Sequence, residues 1–456
     1  MGAFKAYDIR GVWGRDFNAE TVYRIGRELP GLLGADRVLV GRDARTSSPE
    51  IFEALARGIQ DAGADVHDLG LCTTPMTYYF TGLLGYPAAA MITASHNGPE
   101  WNGIKLSRAG ALPVGADSGL LELERRVQTP ARPPERRRGV RAPIDVRGRY
   151  LDFLRGRMPD LSGLKACIDC SCGMAALLVP DLFQGTDAEV LFAEIDGTFA
   201  EHSPNPLLPE TSAVLRARVA ATGAHLGVIF DGDADRVMFS DEQGRFVRPD
   251  LITALLARHY LAQEPGAPIL CDIRTSRGVT EEILRLGGEP HLWKVGHAFA
   301  KAKLRELGAI VGGELAGHYY FREFFCCDAA ILCAQIVMGV AAQAAREGRT
   351  FSDLLAGIDV YANSGECNYA VVRKTEAMQA LAVWARAQAT PPSREFDFDG
   401  LRFEWPDWWF NVRPSNTEPW LRLIAEARDA ALLARKKAEM DAILATFEEH
   451  IDHGRG

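Results

Sequence analysis

The sequence repeats one pattern of elements three times, and this repetition limits the folds that are open to the chain. In each copy a strand-like apolar run is followed by a polar loop and a helix, and then by two further strand-like runs. Such alternation is typical of α/β domains. The first strand, loop and helix of the copies are RVLVGRDARTSSPEIFEAL, KACIDCSCGMAALLVPDLF and PILCDIRTSRGVTEEIL. The repetition predicts three similar α/β domains over residues 1–140, 141–245 and 246–357.

The last segment, residues 358–456, has a different pattern. It contains strand-like and helix-like runs that do not repeat the earlier order, and it ends in an Ala/Lys/Glu-rich stretch for which we expect a helix from Asp429 to about Ile451. This predicts a small α+β domain as the fourth domain. The Pro- and Arg-rich residues 128–143 predict a linker rather than a nucleic-acid-binding patch, because prolines prevent a regular basic helix.

Composition excludes several classes of protein. The chain has 456 residues, of which 47% are hydrophobic and 24% charged, as in soluble globular proteins of several domains. Its net charge of -9 argues against binding to nucleic acid or an anionic membrane, but not against an anionic small substrate. No apolar run reaches the ~20 residues of a membrane span, and we expect no signal peptide. Nine scattered cysteines suit a reducing compartment, so we expect a cytoplasmic protein.

The third strand of each repeat ends in an unusual polar loop. Active sites of open α/β sheets form beyond the carboxyl ends of strands, so we expect the three loops to converge on one cleft. The first loop, TASHNGPEWNGIK, presents Ser95, whose hydroxyl can act as a nucleophile once it is activated. Lys105 could place a positive charge or a proton donor nearby. By itself this loop fits a surface turn equally well, because Ser, Asn, Gly and Pro are ordinary turn residues.

The second loop, in IFDGDADR, carries Asp231, Asp233 and Asp235. Three carboxylates this close repel one another, and burying them is costly without a cation. Oxygen ligands select a hard divalent ion, and Mg²⁺ is the usual choice beside phosphate, so we expect a magnesium site rather than an exposed acidic turn. Arg236 follows directly and could hold a phosphate.

Two further loops fit the recognition of a sugar and of a phosphate. In GGELAGHYYF, Glu314 could bind sugar hydroxyls and His318 could exchange protons, although a glycine-rich turn with a core histidine also fits. In the last domain, NVRPSNTEPWLRL offers a guanidinium, hydroxyls and an amide suited to a phosphate dianion, although an ordinary β-turn also fits. The residues of this fourth loop are Arg413, Ser415, Asn416 and Thr417.

The motifs KAYDIRG, TASHN, DGDADR, GELAGH and RPSNTEP, taken together over the whole chain, resemble the α-D-phosphohexomutase superfamily in its phosphomannomutase/phosphoglucomutase branch. The resemblance implies three α/β domains with mixed sheets and a C-terminal α+β domain like the TATA-box-binding protein, arranged around a central cleft. It implies an isomerase that moves phosphate between the 1- and 6-positions of a mannose or glucose phosphate through a phosphoserine and a 1,6-bisphosphate. Mg²⁺ and a hexose 1,6-bisphosphate activator are the implied cofactors. A hexose phosphate is the implied substrate, with neither nucleic acid nor membrane as partner, for a monomer or homodimer.

The resemblance also implies roles for single residues. Ser95 would carry the phosphoryl group and bind Mg²⁺ together with Asp231, Asp233 and Asp235. The implied catalytic residues are Ser95, Lys105, Arg10, His297 and His318. The implied substrate-binding residues are Tyr7, Arg236, Arg274, Glu314, His318, Arg413, Ser415, Asn416 and Thr417. Which of Lys105, His297 and His318 moves the proton stays open.

Other readings remain open. Ala316 stands where many relatives have serine, which removes one hydroxyl from the third loop and blurs the prediction of the sugar, and SHNGP departs from the commoner SHNP. Within the family, phosphoglucosamine mutase is the nearest rival. DGDAD could also be the aspartate motif of haloacid-dehalogenase-type phosphatases, but its mid-chain position and the following Arg236 argue against this. A non-catalytic sugar-phosphate sensor on the same fold is the remaining alternative.

Overall fold

The computed structural model describes residues 2–129, 137–415 and 420–447. Its strands form four sheets, and we call each sheet with its helices domains I to IV. Strands and helices are numbered here in chain order. Four short 3₁₀ helices add to them, at Ala109–Ala111, Ala116–Ser118, Met174–Leu177 and Arg322–Phe324.

Domains I and II contain the following elements. Domain I has the strands β1 (Ile9–Val12), β2 (Arg37–Arg42), β3 (Asp65–Leu71), β4 (Ala88–Ile92), β5 (Trp101–Arg108), β6 (Leu112–Pro113) and β7 (Arg141–Pro143), and the helices α1 (Ala19–Leu33), α2 (Ser48–Asp61), α3 (Thr74–Leu83) and α4 (Leu120–Gln128). Domain II has the helices α5 (Arg147–Arg155), α6 (Val179–Leu182) and α7 (Ala213–Thr222), and the strands β8 (Lys165–Asp169), β9 (Asp187–Leu191), β10 (Leu226–Phe230), β11 (Val237–Asp241) and β12 (Phe246–Val247).

The remaining elements belong to domains III and IV. Domain III has the helices α8 (Pro249–Leu261), α9 (Arg277–Arg285), α10 (His297–Leu307), α11 (Ala330–Arg346) and α12 (Phe351–Ala356), and the strands β13 (Pro268–Asp272), β14 (Glu289–Trp293), β15 (Val311–Gly313), β16 (Tyr319–Phe321) and β17 (Cys327–Asp328). Domain IV has the strands β18 (Ala362–Asn363), β19 (Cys367–Tyr369), β20 (Arg394–Phe396), β21 (Leu401–Glu404), β22 (Trp408–Pro414) and β23 (Leu421–Ala427), and the helices α13 (Lys374–Arg386) and α14 (Ala430–Ala445).

The first three sheets share one central plan, which confirms the predicted fold class. In each, three parallel strands are followed by an antiparallel one, in the orders β3-β2-β4-β5, β9-β8-β10-β11 and β14-β13-β15-β16. The sheet of domain IV is antiparallel throughout. The predicted domain bounds stay predictions; β7, which follows the predicted boundary at residue 140, pairs with β3 of domain I.

The strands that lead to the polar loops are buried on both faces. All residues of β4, AAAMI, and of β10, LGVIF, are buried, as is typical of continuous apolar strands inside a sheet that helices cover. One apolar core runs through domains I, II and III, a second lies on the other face of domain I, and domain IV has a core of its own.

The long C-terminal helix is shorter than predicted. The side chain of Asp429 caps the N-terminus of α14 by accepting the N–H of Leu432, as expected, but the helix ends at Ala445. The N–H of Thr446 bonds to the carbonyl of Ile443, which is a tighter turn than an α-helix makes. The rest of the predicted helix, from residue 448, lies outside the described residues, as do residues 130–136 of the predicted linker. Among the described helices, none combines the length and the apolar character that crossing a membrane requires.

Helices α1 and α2 of domain I cross at Gly26 and Gly58, which allow close contact between the two backbones. A Cβ on Gly58 would lie 2.2 Å from the carbonyl oxygen of Tyr23, whereas a Cβ on Gly31 would have no atom within 4 Å. We therefore expect Gly58→Ala to separate the helices and to cost about 1–3 kcal/mol of stability. This should lower the apparent melting temperature, measured by circular dichroism, by roughly 3–10 °C.

Gly31→Ala is the matched control, since it also replaces a helical glycine in this pair of helices. We expect it to leave the melting temperature unchanged or to raise it, because alanine favours a helix over glycine by about 1 kcal/mol. Equal melting temperatures for the two variants would contradict the close crossing.

Candidate active site

Ser95 is held at the meeting point of domains I and II. It follows β4, is 1% exposed and has a φ of 52°, in the left-handed region that a serine rarely adopts. Its Oγ donates a hydrogen bond to Asp231 Oδ2 of domain II at 2.8 Å. Its N–H donates to Thr93 Oγ1 at 3.0 Å. A backbone of this kind costs about 1–3 kcal/mol, so other contacts must hold the loop in place.

Arg45, which the sequence analysis missed, supplies those contacts. Its side chain is fully buried, and its guanidinium donates to four carbonyl oxygens of the serine loop and to the carboxylate of Asp43 at 3.0 Å. The four acceptors are the carbonyls of Ser95 at 2.8 Å, Asn97 at 2.7 Å, Gly98 at 2.5 Å and Trp101 at 3.1 Å. The sequence did contain a signal for Arg45. The polar residues RDAR stand at the carboxyl end of β2, which pairs in parallel with β4, the strand that leads to Ser95.

The three predicted metal ligands lie together in the loop after β10. Asp231, Asp233 and Asp235 are at most 1% exposed, and one carboxylate oxygen of each lies within 4.8 Å of the others. Asp231 Oδ1 accepts the N–H groups of Asp235 and Arg236, both at 3.1 Å. Burial, and next the charges of Asp233 and Asp235, raise the pKa of Asp231 well above its ordinary value. A cation would relieve this repulsion.

The carboxylate oxygens of this loop are suitable ligands for a magnesium ion. The buried Oδ1 atoms of Asp233 and Asp235 have no hydrogen-bond partner within the part of the chain that the structure describes. Buried carboxylate oxygens without partners are costly, and a hard divalent cation is the ligand that suits them. The serine hydroxyl at 2.8 Å from Asp231 belongs to the same set of oxygens.

Lys105 brings positive charge to these carboxylates, and Arg10 brings it to the serine loop. Lys105, on β5, donates to Asp233 Oδ2 at 2.8 Å and to Asp235 Oδ2 at 2.5 Å. Burial lowers the pKa of Lys105, but the two carboxylates more than offset this and hold the pKa above its ordinary value, so the amine is charged. Arg10 donates to Asn97 Oδ1 of the serine loop at 3.1 Å. Arg236 Nε lies 3.8 Å from Asp231 Oδ2.

Domain III adds His318, together with two charged residues that the sequence analysis missed. His318 Nδ1 lies 2.9 Å from Asp328 Oδ2 and 3.8 Å from Asp235 Oδ1. The other oxygen of Asp328 pairs with Lys301 Nζ at 2.8 Å, and both side chains are fully buried. Burial raises the pKa of Asp328, but Lys301 and His318 outweigh it and hold the pKa well below its ordinary value. Lys301 Nζ also lies 3.5 Å from the ring centroid of Tyr78 in domain I.

His297 contacts both His318 and Tyr7. His297 is the first residue of α10, and its ring centroid is 5.9 Å from that of His318 and 5.8 Å from that of Tyr7. Burial, and next the charge of Lys301, lower the pKa of His297 well below its ordinary value, so the ring is neutral. Its buried Nδ1 has no hydrogen-bond partner among the described residues.

Glu314 lies in the same region but already has partners for both oxygens. Its Oε1 accepts the N–H of Gly296 at 2.5 Å, and its Oε2 accepts the hydroxyl of Tyr320. These contacts join the loop after β15 to the N-terminus of α10, and so position His297. Its predicted role as a ligand of sugar hydroxyls stays a prediction.

Arg274 of the predicted substrate site and Arg413 of the predicted phosphate loop form a second cluster between domains III and IV. Arg274, after β13, donates to Asp272 Oδ2 at 2.7 Å and to Glu366 Oε2 at 2.9 Å. Arg413, on β22, donates to Glu366 Oε1 at 3.2 Å. Ser415 follows β22, and its N–H bonds to the carbonyl of Trp420 at 2.9 Å. Asn416 and Thr417 lie outside the described residues.

Asp272 connects this second cluster to the loop after β15, which carries Glu314. Its Oδ2, which accepts from Arg274, also accepts the N–H of Leu315 at 2.8 Å, next to Glu314. Asp399 of domain IV accepts the N–H of Val295 at 2.7 Å, close to His297. The four loops therefore belong to one continuous polar region.

Comparison with known proteins gives this arrangement its family. Models of the α/β/α domains I, II and III of phosphoglucomutase/phosphomannomutase match residues 1–131, 149–244 and 248–361, and the model of the C-terminal domain matches residues 366–443. A phosphomannomutase of Escherichia coli is 37% identical over 97% of this chain and 99% of its own length. The chain belongs to the phosphoglucomutase/phosphomannomutase family.

Further relatives agree with this assignment. A phosphomannomutase/phosphoglucomutase of Pseudomonas syringae pv. tomato is 35% identical over 98% of this chain and 96% of its own length. The crystal structure of a phosphoglucomutase/phosphomannomutase family protein from Burkholderia thailandensis superposes with a TM-score of 0.88 at 32% identity, over 100% of this chain and 98% of that one. The chain is therefore a phosphohexomutase, an isomerase, and the predicted family and enzyme class are confirmed.

The aspartate loop of this phosphohexomutase leads to a prediction on metal binding. Asp233→Asn removes one of three buried charges, and we expect it to weaken Mg²⁺ binding at least about tenfold, because hard cations depend on ligand charge. Calorimetric titration with Mg²⁺ measures the change. Asp160→Asn, which alters an exposed carboxylate, should bind Mg²⁺ like the wild type, and equal affinity of both variants would rule out Asp233 as a ligand.

Arg45 of this phosphohexomutase leads to a prediction on catalysis. Arg45→Lys keeps the positive charge, but the single lysine ammonium cannot replace the several N–H donors of the guanidinium that hold the serine loop. We expect kcat to fall about 10–100-fold with KM nearly unchanged, because the nucleophile is misplaced while the substrate contacts remain. Arg42→Lys, at the end of β2 and paired with Asp68, is the control and should keep wild-type kcat. Wild-type kcat for Arg45→Lys would show that the loop holds its shape without the guanidinium.

Proposed function

We propose that this phosphohexomutase interconverts the 1- and 6-phosphates of mannose and glucose through a phosphoserine at Ser95 and a hexose 1,6-bisphosphate. The observation that carries the proposal is the Ser95 hydroxyl at 2.8 Å from Asp231 Oδ2, where loops of domains I and II meet beside His318 of domain III. The names of the relatives support mannose and glucose as the sugars.

Phosphoryl transfer is catalysed mainly by positioning the reacting groups and by stabilising the charge of the transition state. In the forward step the bond between Ser95 Oγ and phosphorus breaks while a free sugar hydroxyl bonds to the phosphorus and loses its proton. The other phosphate of the bisphosphate then returns to Ser95 Oγ. A loose phosphoryl transition state is stabilised by fixed positive charge, which Lys105 and Arg10 supply here.

His318 is the proton acceptor that the contacts favour. Asp328 Oδ2 lies 2.9 Å from Nδ1 of His318, so its negative charge would stabilise the ring once Nε2 has taken the proton of the sugar hydroxyl. Lys105 is charged and shared between two carboxylates, which suits it to electrostatic stabilisation instead. Burial lowers the pKa of His297 well below its ordinary value, which makes it a weaker proton acceptor, so we assign it a supporting catalytic role beside His318.

The metal and substrate sites complete the proposal. Ser95, Asp231, Asp233 and Asp235 would hold Mg²⁺, which when bound neutralises charge on the transferred phosphoryl group. Hexose 1,6-bisphosphate would act as the activator, because it phosphorylates Ser95 in an enzyme that has lost its phosphate. The residues that we assign to the hexose phosphate are Tyr7, Arg236, Arg274, Glu314, His318, Arg413, Ser415, Asn416 and Thr417.

We also infer a cytoplasmic enzyme that binds neither nucleic acid nor membranes. All nine cysteines lie in described parts of the chain and carry free thiols, which suits a reducing compartment. The net charge of -9 opposes contact with polyanions. We expect a monomer or a homodimer.

Turnover of three sugar 1-phosphates tests the proposal. One preparation receives mannose 1-phosphate, glucose 1-phosphate or glucosamine 1-phosphate with Mg²⁺ and a trace of the matching 1,6-bisphosphate, and intact mass spectrometry reports phosphate on the protein. We expect turnover of the mannose and glucose phosphates, one phosphate on wild-type protein, and neither turnover nor phosphate for Ser95→Ala, since no hydroxyl is left to accept it.

Other outcomes would identify the alternatives. Turnover of glucosamine 1-phosphate alone would keep the mechanism and assign the protein as a phosphoglucosamine mutase. Absence of turnover together with absence of phosphate on Ser95 would favour a non-catalytic sugar-phosphate sensor.

A further inference from the structure

The carboxylate of Glu366 lies among three arginines at the proposed phosphate site. Its Oε2 accepts from Arg274 at 2.9 Å, its Oε1 accepts from Arg413 at 3.2 Å, and Nη1 of Arg422 lies 3.9 Å from Oε1. Glu366 directly precedes β19 of domain IV, whereas Arg274 follows β13 of domain III. One carboxylate therefore bridges the guanidinium groups of two domains.

The Glu366 carboxylate is ionised, and the side chains of Arg274 and Arg413 are almost completely buried. Burial raises the pKa of Glu366, but Arg274, Arg413 and Arg422 outweigh it and hold the pKa below its ordinary value. Arg274 is 4% and Arg413 3% exposed. The buried Nε of Arg413 has no hydrogen-bond partner among the described residues, so this guanidinium keeps donor capacity for a further anion.

We propose that Glu366 is an internal competitor for the substrate phosphate and determines how tightly the arginines hold it. This inference rests on the proposed function, in which Arg274 and Arg413 are among the residues that bind the hexose phosphate. Carboxylates and phosphates accept hydrogen bonds from the same guanidinium donors. A phosphate that uses the donors of Arg274 and Arg413 must therefore displace the Glu366 carboxylate from them.

The reaction explains why such a competitor is useful. A bisphosphate intermediate that turns round must withdraw one phosphate from the arginines and insert the other. Removing an anion from buried guanidinium groups leaves uncompensated buried charge, which is strongly unfavourable. Glu366 returns to Arg274 and Arg413 as the phosphate leaves, and so lowers the barrier to release. Without it the phosphate would bind more tightly in the ground state, which lowers KM without raising kcat.

Binding of glucose 6-phosphate to charge variants tests the inference. Calorimetry in the Ser95→Ala background prevents turnover during the titration. We expect Glu366→Gln to bind glucose 6-phosphate about tenfold more tightly, because a negative charge near the phosphate is removed. With Ser95 present, KM should fall by a similar factor and kcat should fall as release slows. Glu366→Asp, which keeps the charge, should restore wild-type KM and kcat to within about threefold.

Glu395→Gln is the matched control, because it removes an arginine-paired carboxylate of the same domain that contacts Arg386 instead. We expect wild-type affinity and kinetics for this variant. If Glu366 only braces domain IV, Glu366→Gln would weaken binding and raise KM, and that result, or an unchanged affinity, would overturn the inference.

A crystal structure of the Ser95→Ala protein with glucose 6-phosphate tests the same point with Glu366 intact. We expect the Glu366 carboxylate to have moved out of hydrogen-bonding distance of Arg413 when phosphate is bound there. A carboxylate that keeps both arginine contacts beside the bound phosphate would overturn the inference.

Arg413→Met separates failure of the inference from failure of the proposed function. If this variant weakens binding of glucose 6-phosphate but Glu366→Gln does not strengthen it, the phosphate site stands and only the competitor role falls. If Arg413→Met leaves the affinity unchanged, the assignment of the phosphate site falls, and the inference falls with it.

Discussion

Pairing between Lys105 and the buried carboxylates of the aspartate loop determines how domains I and II meet. Asp233 accepts from Lys105 and from the hydroxyl of Thr74, and both donors belong to domain I. The N–H of Thr74 also bonds to the carbonyl of Asp233 at 3.0 Å. Buried charges without such partners would cost several kcal/mol each. The groups proposed for catalysis therefore also fix the contact between the domains.

Domain III extends this arrangement through a second buried ion pair. Lys301 and Asp328 compensate each other, and Asp328 holds His318 close to Asp235 of domain II. Domain IV is attached differently. It has its own apolar core, and it meets domain III through polar contacts such as the guanidinium of Arg402 on the carbonyl of Thr275. Because one apolar core runs through the first three domains whereas domain IV has a separate one, displacing domain IV exposes less apolar surface than separating the first three domains would.

The sequence was informative where a local pattern carries the chemistry. Aspartates at alternate positions after an apolar strand indicated a metal loop, and the repeated pattern predicted the three sheets. Ion pairs between distant parts of the chain left no such signal, because Lys301 and Glu366 look like ordinary surface residues in a sequence. Their partners, Asp328 and Arg274, lie 27 and 92 positions away, and only the fold brings them together. Arg45 was missed for a different reason: the polar RDAR marked its position, but its acceptors are backbone carbonyls, which every residue has, so nothing in the sequence named them.

The repeat also bears on the ancestry of the protein. Each of the first three domains ends its third strand in one polar loop, and the loops of the three domains do different work: one presents a serine, one the carboxylates, one a histidine. A single domain of this type carries only one of these three loops. An ancestor with one such domain would have needed to associate with copies of itself to enclose a comparable cleft. Duplication within one chain would have allowed each loop to specialise independently, which identical copies in an assembly cannot do.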